Sequence, residues 1–422
     1  MLREGGTSGR RITVVGLGYI GLPTAAMLAT HGHTVYGFDT NPRVIEHLEK
    51  GKVHIEEPGL LAFVRDALHS GRFVPVREVR PADVYILCVP TPYDEKAKRA
   101  DLSYITKAAE AIVPHVKKGD LVILESTVPA GTTADHLGPI LARSGLDPLR
   151  DLDLAHCPET VLPGNMISEL TSNARVIGGL TPNATHAAEM LYRSFVRGTL
   201  VTTDATTAEF VKLIQNTYRD VNIALANEIG MVAGQKGIDV REAIRIANLH
   251  PRVDLHAPGP GVGGHCIPID PWFLVQDTPD ARLVRVSREI NDGMPHRVVD
   301  KVRSLVKDVE APRIALLGLA YKADVDDVRE SPAVPILERL KEHFDDVRVH
   351  DPHVKDPNFD TVPLKVALDG ADCTVIVTGH WEYSALDPHK TRSVVRTPIV
   401  FDTRGIVSRP EWEEAGFTFG TL

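Results

Sequence analysis

Cysteine is scarce in this chain: four in 422 residues, at Cys88, Cys157, Cys266 and Cys373, widely scattered and with no CxxC pair. That pattern speaks against a disulfide framework and against a cysteine-based zinc site, so no metal is expected, and it fits a reducing cytoplasm. A basic block is missing too, and the net charge is −9. Nucleic acid and an anionic membrane are therefore not the expected partners. No apolar run approaches the roughly 18 residues needed to span a bilayer. The start, "MLREGGTSGRR", is polar and glycine-rich and runs straight into strand-like "ITVVG". It reads as a loose tail rather than a signal peptide. What remains is the balance of an ordinary globular protein, 43% hydrophobic and 24% charged, at a length that suggests two or three domains.

Short apolar, β-rich runs alternate with helical patterns through the first third: "ITVVGLG", "TVYGFD", "VYILCVP", "LVILEST". This is the βαβ rhythm of a doubly wound parallel sheet. "AHCPETVLPG" and "ARVIGG" are expected to supply its last strands. From about Thr206 to Gly237 the period becomes helical over some thirty residues. A helix that long is expected to join two domains and to pair with a twin in another subunit. A second helical stretch is expected from Ala281 to Lys307.

The opening pattern then restarts. "RIALLGLAYK" echoes "RITVVGLGYI", "VRVHDPH" echoes "TVYGFDTNP", and "ADCTVIVTG" echoes "ADVYILCVP". We read a degenerate internal repeat. The expected architecture is α/β, two Rossmann-like doubly wound parallel-sheet domains joined by a long-helix central domain. The boundaries are 1–203, 204–307 and 308–422. In the second copy Ala320 stands for Gly18, Ala323 for Gly21 and Lys322 for Ile20. That loop should no longer cradle a dinucleotide, and a lysine stands where a phosphate would lie.

"VVGLGYIG" places Gly16, Gly18 and Gly21, with Tyr19 and Ile20 between them, in a strand–turn–helix context. A lone GxGxxG is weak, but Asp39 ends the next strand eighteen residues after Gly21. A carboxylate there meets the ribose hydroxyls of NAD and repels a 2′-phosphate. Unpaired N–H groups at the helix start suit a pyrophosphate. Arg43 nearby leaves NADP as the minority option; the expected cofactor is NAD. "CVPTP" and "ESTVPAGTT" each follow a strand's carboxyl end, which makes Thr91 and Thr127 candidate contacts, with loop capping as the plain alternative.

"AEFVKLIQNTYR" carries Glu209, Lys212, Asn216 and Arg219 along one helix, with Lys212 and Asn216 on one face. A solvated polar stripe is the ordinary explanation of such spacing. The neighbouring "GPGVGGHCIPID" shifts the balance. A buried structural cysteine does not require glycines on both sides, and a metal site would need further ligands in ordered spacing. A nucleophile needs an exposed thiol on a closely approachable backbone with acid–base groups nearby. Cys266 fits that need, with Asp270 as a possible base.

Together "GLGYIGLP", "ESTVPAGTT", "CPETVLPG", "TAEFVKLIQNTYRDVNIALANE", "HPRVDLHAPGPGVGGHCIPIDPWF" and "GLAYKADVDDVRESPA" resemble the UDP-sugar 6-dehydrogenases of the UDP-glucose/GDP-mannose dehydrogenase family, in order from residue 11 to Arg404. Several of these stretches are more similar to the branch acting on UDP-N-acetylmannosamine than to the UDP-glucose branch, with UDP-N-acetylglucosamine or UDP-glucose as the alternative substrate. The resemblance implies a four-electron oxidation with two NAD⁺ used in sequence and a covalent intermediate on Cys266. It implies that Lys212, Asn216 and Thr127 face the C6 oxygen, and that proton transfer falls to Lys212, Asp270 and Glu159. It places Thr160, Val161, Arg219, His250, Arg252, Gly263, Tyr321, Lys322 and Arg404 at the UDP-sugar, and Arg329 at NAD. It also implies a homodimer or homotetramer in which Arg252 reaches a neighbouring subunit's site. Two positions depart from the pattern: Thr160 replaces an arginine of the related branch, and Pro163 stands where the UDP-glucose branch carries a second carboxylate.

Two rival readings stay open on the residues alone. A two-electron 3-hydroxyacid-type dehydrogenase would use the lysine and asparagine without the thiol. A non-catalytic NAD sensor would need no nucleophile.

Overall fold

A computed structural model describes residues 9–422 apart from 56, 95, 162 and 163. The glycine-rich start up to residue 8, and the Pro163 departure, lie outside the described residues. The chain divides into two compact units, one ending at Gln215 and one starting at Asn216. This division falls within a 32-residue helix, Ala205–Lys236.

The first unit is built on a sheet whose strands are β1 (Arg11–Val15), β2 (Thr34–Phe38), β3 (Phe73–Val76), β4 (Val84–Leu87), β7 (Leu121–Leu124), β8 (Asp153–His156), β9 (Arg175–Gly179) and β10 (Leu200–Asp204). Two residues each of β5 (Tyr93–Asp94) and β6 (Arg99–Ala100) form a separate hairpin. The order in the large sheet is β10-β9-β8-β7-β4-β1-β2-β3. Strands β1, β4 and β7 are buried over nearly their whole length, which is why they read as unbroken apolar runs rather than alternating ones. β1 pairs in parallel with both β2 and β4, so the chain reverses its direction of winding between them. The carboxyl ends of β1 and β4 are thus a topological switch point, the place where ligands bind in such sheets. One feature departs from the expected parallel order: β9 lies antiparallel to β8, and β10 follows β9. Periodicity marks a strand without giving its direction.

The second unit carries a wholly parallel sheet of β11 (Arg313–Leu317), β12 (Asp346–His350), β13 (Cys373–Ile376), β14 (Ile399–Asp402) and β15 (Thr418–Thr421), ordered β12-β11-β13-β14-β15. β11 sits between β12 and β13 as β1 sits between β2 and β4. The repeat expected from the sequence is therefore repeated in topology. Apolar clusters cover both faces of each sheet. The second unit also contains the remainder of the long helix, a helix at Val240–Ala247 and another at Arg282–Leu305, within the stretch expected from Ala281 to Lys307.

The long helix is inverted relative to a surface helix. Glu209, Lys212, Asn216 and Asp220 are buried on one side. Phe210, Ile214, Tyr218, Leu225 and Val232 stand 44–56% exposed on the other. Of the polar stripe in the sequence, Glu209, Lys212 and Asn216 are buried and Arg219 is exposed.

Candidate active site

In the first unit, β1 runs into Gly16, which takes φ +91°. A Cβ on Gly16 would come within 2.5 Å of the Cys88 carbonyl oxygen, and one on Gly21 within 1.9 Å of the Gly16 oxygen. These two glycines let the turn pack against β4 and open directly into the helix Gly21–Thr30. Gly18 differs: a Cβ there would meet nothing within 4 Å. Its lack of a side chain leaves space at the helix start, beside Tyr19 and Ile20. Asp39 accepts the Leu17 N–H at 2.9 Å on one oxygen and the Asn41 N–H at 2.8 Å on the other, and stays partly exposed. Arg43 is exposed. The Thr91 hydroxyl oxygen is buried without a hydrogen-bond partner. An open glycine and an accessible acceptor just past β2 suit an NAD at a switch point, and the unpartnered hydroxyl after β4 lies at the same sheet edge.

Thr127 is half-buried just beyond β7. Glu159 follows β8 and is fully engaged. One oxygen accepts the N–H groups of Thr160 (2.6 Å) and Val161 (3.0 Å), and the other pairs with the buried Arg175 on β9. Arg175 also lies 3.9 Å from Glu125. Glu125 accepts from Tyr192 Oη at 2.5 Å and from Cys88 Sγ at 3.1 Å, and burial raises its carboxyl above the usual range. Cys157 and Cys373 are buried, and Cys88, just past β4, is half-buried. Burial pushes all three thiols up, Cys157 to about 12, so none of them is a ready nucleophile. Sequence reasoning passed over Arg175, although a charged residue inside the apolar run "ARVIGG" was a visible signal for it.

The second unit answers what the glycines around Cys266 are for. Built on Gly263, a Cβ would lie 2.7 Å from the Tyr321 Cβ and from the Glu330 oxygen; on Gly264, 2.9 Å from the Tyr321 ring. Gly264 N–H donates to Arg329 O at 3.2 Å. The loop is thus laid flat against the segment after β11, and only glycine permits that approach. Cys266 emerges from it exposed and outside any disulfide. Its carbonyl accepts the Asp270 N–H at 2.8 Å at the start of the short helix Asp270–Val275. Asp270 is 2% exposed, and Asn216 Nδ2 donates to its Oδ2 at 2.6 Å. The start of the loop is fixed from behind: Gly259 N–H donates to Asn227 Oδ1 at 2.8 Å, and Asn227 donates to Asn291, which donates to Asp220. Asp220 is in turn paired with the buried Arg288. Arg404 donates through Nε to Val377 O at 2.6 Å and lies 3.3 Å from where a Gly259 Cβ would be. Burial, then the neighbouring Arg241, pulls its guanidinium down to about 10. Arg241 itself bridges Pro258 O and Thr403 O. Lys322 is exposed, and Arg329 is held by Asp327 through two hydrogen bonds at 2.8 and 2.6 Å.

Thus the structure brings Asn216, Gly263, Cys266, Asp270 and Tyr321 together within the second unit, with Arg404 beside the start of the same loop at Gly259. Among the described residues no hydrogen bond joins Arg219, His250 or Arg252 to it; all three are exposed. Lys212, Thr127, Glu159, Thr160 and Val161 belong to the first unit.

Matches to known proteins cover the whole of this arrangement. The chain matches the UDP-glucose/GDP-mannose dehydrogenase family in three parts: the NAD binding domain over residues 10–196, the central domain over 206–293 and the UDP binding domain over 315–409. The chain belongs to this family. It is an NAD-dependent oxidoreductase whose first sheet binds NAD and whose second carries the family's UDP binding domain. A UDP-N-acetyl-D-mannosamine dehydrogenase of Methanococcus maripaludis is 42% identical, covering 100% of this chain and 99% of that protein. An NDP-N-acetyl-D-galactosaminuronic acid dehydrogenase of Ralstonia nicotianae is 45% identical over 94% of this chain and 96% of that one. The solved UDP-D-ManNAc dehydrogenase of Pyrococcus horikoshii superposes with a TM-score of 0.93 at 41% identity, covering 98% of this chain and 99% of that one.

Proposed function

We propose that the chain oxidises the C6 alcohol of UDP-N-acetyl-D-mannosamine to the carboxylate, through a thioester on Cys266. The observation that carries this reading is the exposed Cys266 thiol on a glycine loop laid against Tyr321, with Asp270 and Asn216 hydrogen-bonded beside it. A two-electron dehydrogenase would have no use for that thiol. NAD⁺ supplies one thing when bound, acceptance of a hydride from carbon. The remaining steps fall to the chain's own residues. The C6 alcohol gives up a hydride and a proton to become an aldehyde, and the Cys266 sulfur adds to it as a thiohemiacetal. Loss of a second hydride from carbon, together with the hydroxyl proton, leaves a thioester; water cleaves it, releasing the carboxylate and a proton and restoring the thiol. Splitting the oxidation in this way keeps the aldehyde from leaving between the two hydride losses.

Lys212, Asn216 and Thr127 are assigned to the C6 oxygen, where an ammonium, an amide and a hydroxyl stabilise developing negative charge. Proton transfer is assigned first to Lys212 and Asp270. Glu159 is committed to Arg175 and to the Thr160 and Val161 N–H groups, so any proton it moves must compete with that ion pair. Tyr321, Lys322 and Arg404 are assigned to the UDP moiety, with Thr160, Val161 and Gly263 near the sugar and Arg329 near NAD.

The apolar outer face of the long helix supports a homo-oligomer, dimer or tetramer, in which Arg252 serves a neighbouring copy, with Arg219 and His250 assigned to the UDP-sugar. No helix among the described residues is long and apolar enough to cross a membrane. The absence of disulfides supports a reducing cytoplasm.

The sugar assignment rests on relatives of near-complete coverage, and the Ralstonia relative keeps an N-acetylgalactosamine substrate as the second reading. Incubation with NAD⁺ and each of UDP-N-acetylmannosamine, -glucosamine and -galactosamine and UDP-glucose tests it, reading NADH and uronate together. We expect about two NADH per uronate and mannosamine as the best substrate. UDP-glucose should be poor, because a site built to pair an acetamido group leaves its partners unpaired with a plain hydroxyl. One NADH per sugar with free aldehyde would overturn the covalent scheme.

A further inference from the structure

We infer that Glu209 is a positioning residue for the reaction, fixing the loop that begins at Thr127 to the helix turn that carries Lys212. The inference rests on the reading just given, which assigns Thr127 and Lys212 to the C6 oxygen. Glu209 is fully buried on the long helix, three residues before Lys212. One of its oxygens accepts the Gly131 N–H at 2.6 Å. The other accepts the Thr133 N–H at 2.7 Å and the Thr133 hydroxyl at 2.6 Å. A carboxylate taken out of water is costly unless its lone pairs are filled, and here three donors converge on it.

The segment it grips has little other regular support. β7 ends at Leu124, and Ser126 anchors the chain through Oγ to Val89 O at 2.6 Å. Thr127 follows, then Pro129, whose carbonyl accepts both the N–H and the hydroxyl of Thr132. Gly131 turns the chain at φ +93°, and residues Thr132–Leu137 form a wide π-type turn instead of an ordinary helix start. Wide turns of this kind are rare and frequent at functional sites. Among the described residues, no other hydrogen bond ties Gly131 or Thr133 to the long helix. Lys212, one turn on from Glu209 along the same buried face, is held in register with that loop by the same carboxylate. A shift of about 1 Å in a reacting group costs up to about 100-fold in rate, so a clamp at this point acts on turnover and not on binding.

Glu209→Gln tests the idea at nearly constant volume: an amide presents N–H groups to donors that need acceptors. The expected result is a fall in kcat of roughly 10–100-fold, with KM for NAD⁺ and for the UDP-sugar each within about threefold. The isotope effect with C6-deuterated substrate should rise, since hydride loss becomes slower. Thr133→Val, which removes only the hydroxyl donor, should lose a few-fold in kcat, and Thr133→Ser should restore it. If Glu209→Gln melts early but turns over within twofold of the unaltered chain, or raises only the KM for NAD⁺, the inference is overturned and the proposed function stands. If Glu209→Gln does not fold, a Thr133→Val variant as fast as the parent overturns it equally. Failure of the unaltered chain to oxidise any UDP-sugar removes the proposed function and this inference with it.

Discussion

The loop after β1 and the loop after β11 start from the same plan and end in different chemistry. Both leave a central strand through a glycine with positive φ, Gly16 at +91° and Gly318 at +103°, packed just past the neighbouring strand, on Cys88 and Thr378 respectively. After Gly16 the chain enters its helix within five residues, at Gly21. After Gly318 it wanders through residues 319–332 before the helix Ala333–His343 begins. The excursion moves the helix start away from the strand end and puts Tyr321, Lys322 and Arg329 there instead. The two carboxylates that end the next strands diverge in step. Asp39 accepts two backbone N–H groups and stays partly exposed. Asp351 is buried and used up, accepting from Leu319, Ala320, His353 and Val354 N–H groups and from His380. One copy keeps a carboxylate available for a ribose; the other has turned it into a structural bolt and gained a surface against which the Cys266 loop lies.

The comparison can be broken at several levels. Because the proposed nucleophile stands with the second copy, Cys266→Ser should lower kcat by at least about 10³-fold, the scale on which loss of a catalytic nucleophile is felt. NAD⁺ affinity, read by titration, should not change. Asp351→Asn should cost about 2–3 kcal/mol of stability, seen as a melting temperature lower by several degrees at pH 7. Burial alone would raise the Asp351 carboxyl, but hydrogen bonds from His380 and the backbone hold it far below the usual carboxylate range. Its stabilisation is therefore present above the unfolded value near pH 4 and lost as pH falls below it. The Asn variant should accordingly lose less stability than its parent between pH 5 and 3. An unchanged melting curve would mean the two aspartates are not so different. Gly18→Ala is the mildest: the added methyl meets nothing in the protein, so the melting temperature should hold within about 2 °C. KM for NAD⁺ should nevertheless rise roughly tenfold, about 1.4 kcal/mol, if Gly18 is there for the ligand and not for the fold.

Much of this architecture is legible in the sequence. The repeat was visible in matched strands, and loss of glycine at Ala320 and Ala323 already marked the second loop as changed. The glycines at 263 and 264 signalled close approach, but what approaches them, the Tyr321 ring, lies some sixty residues away and leaves no local trace. The long helix shows the other limit. Its period was plain, yet periodicity does not say which face is inside, and the usual assumption of polar outside is reversed here. Helical spacing leaves Glu209 equally compatible with a solvated stripe, because its three donors lie over seventy residues upstream. Strand direction was equally silent, and β9 runs against β8.

The division of labour between the two copies is tested most directly by titrating NAD⁺ and UDP separately into the unaltered chain, Asp39→Ala and Lys322→Ala. Each removed contact is expected to be worth roughly 1.5–3 kcal/mol, about 10- to 150-fold in affinity. The account predicts that Asp39→Ala weakens NAD⁺ by that factor and leaves UDP untouched, and that Lys322→Ala does the reverse. Weakening of NAD⁺ by Lys322→Ala with UDP binding unchanged would contradict it.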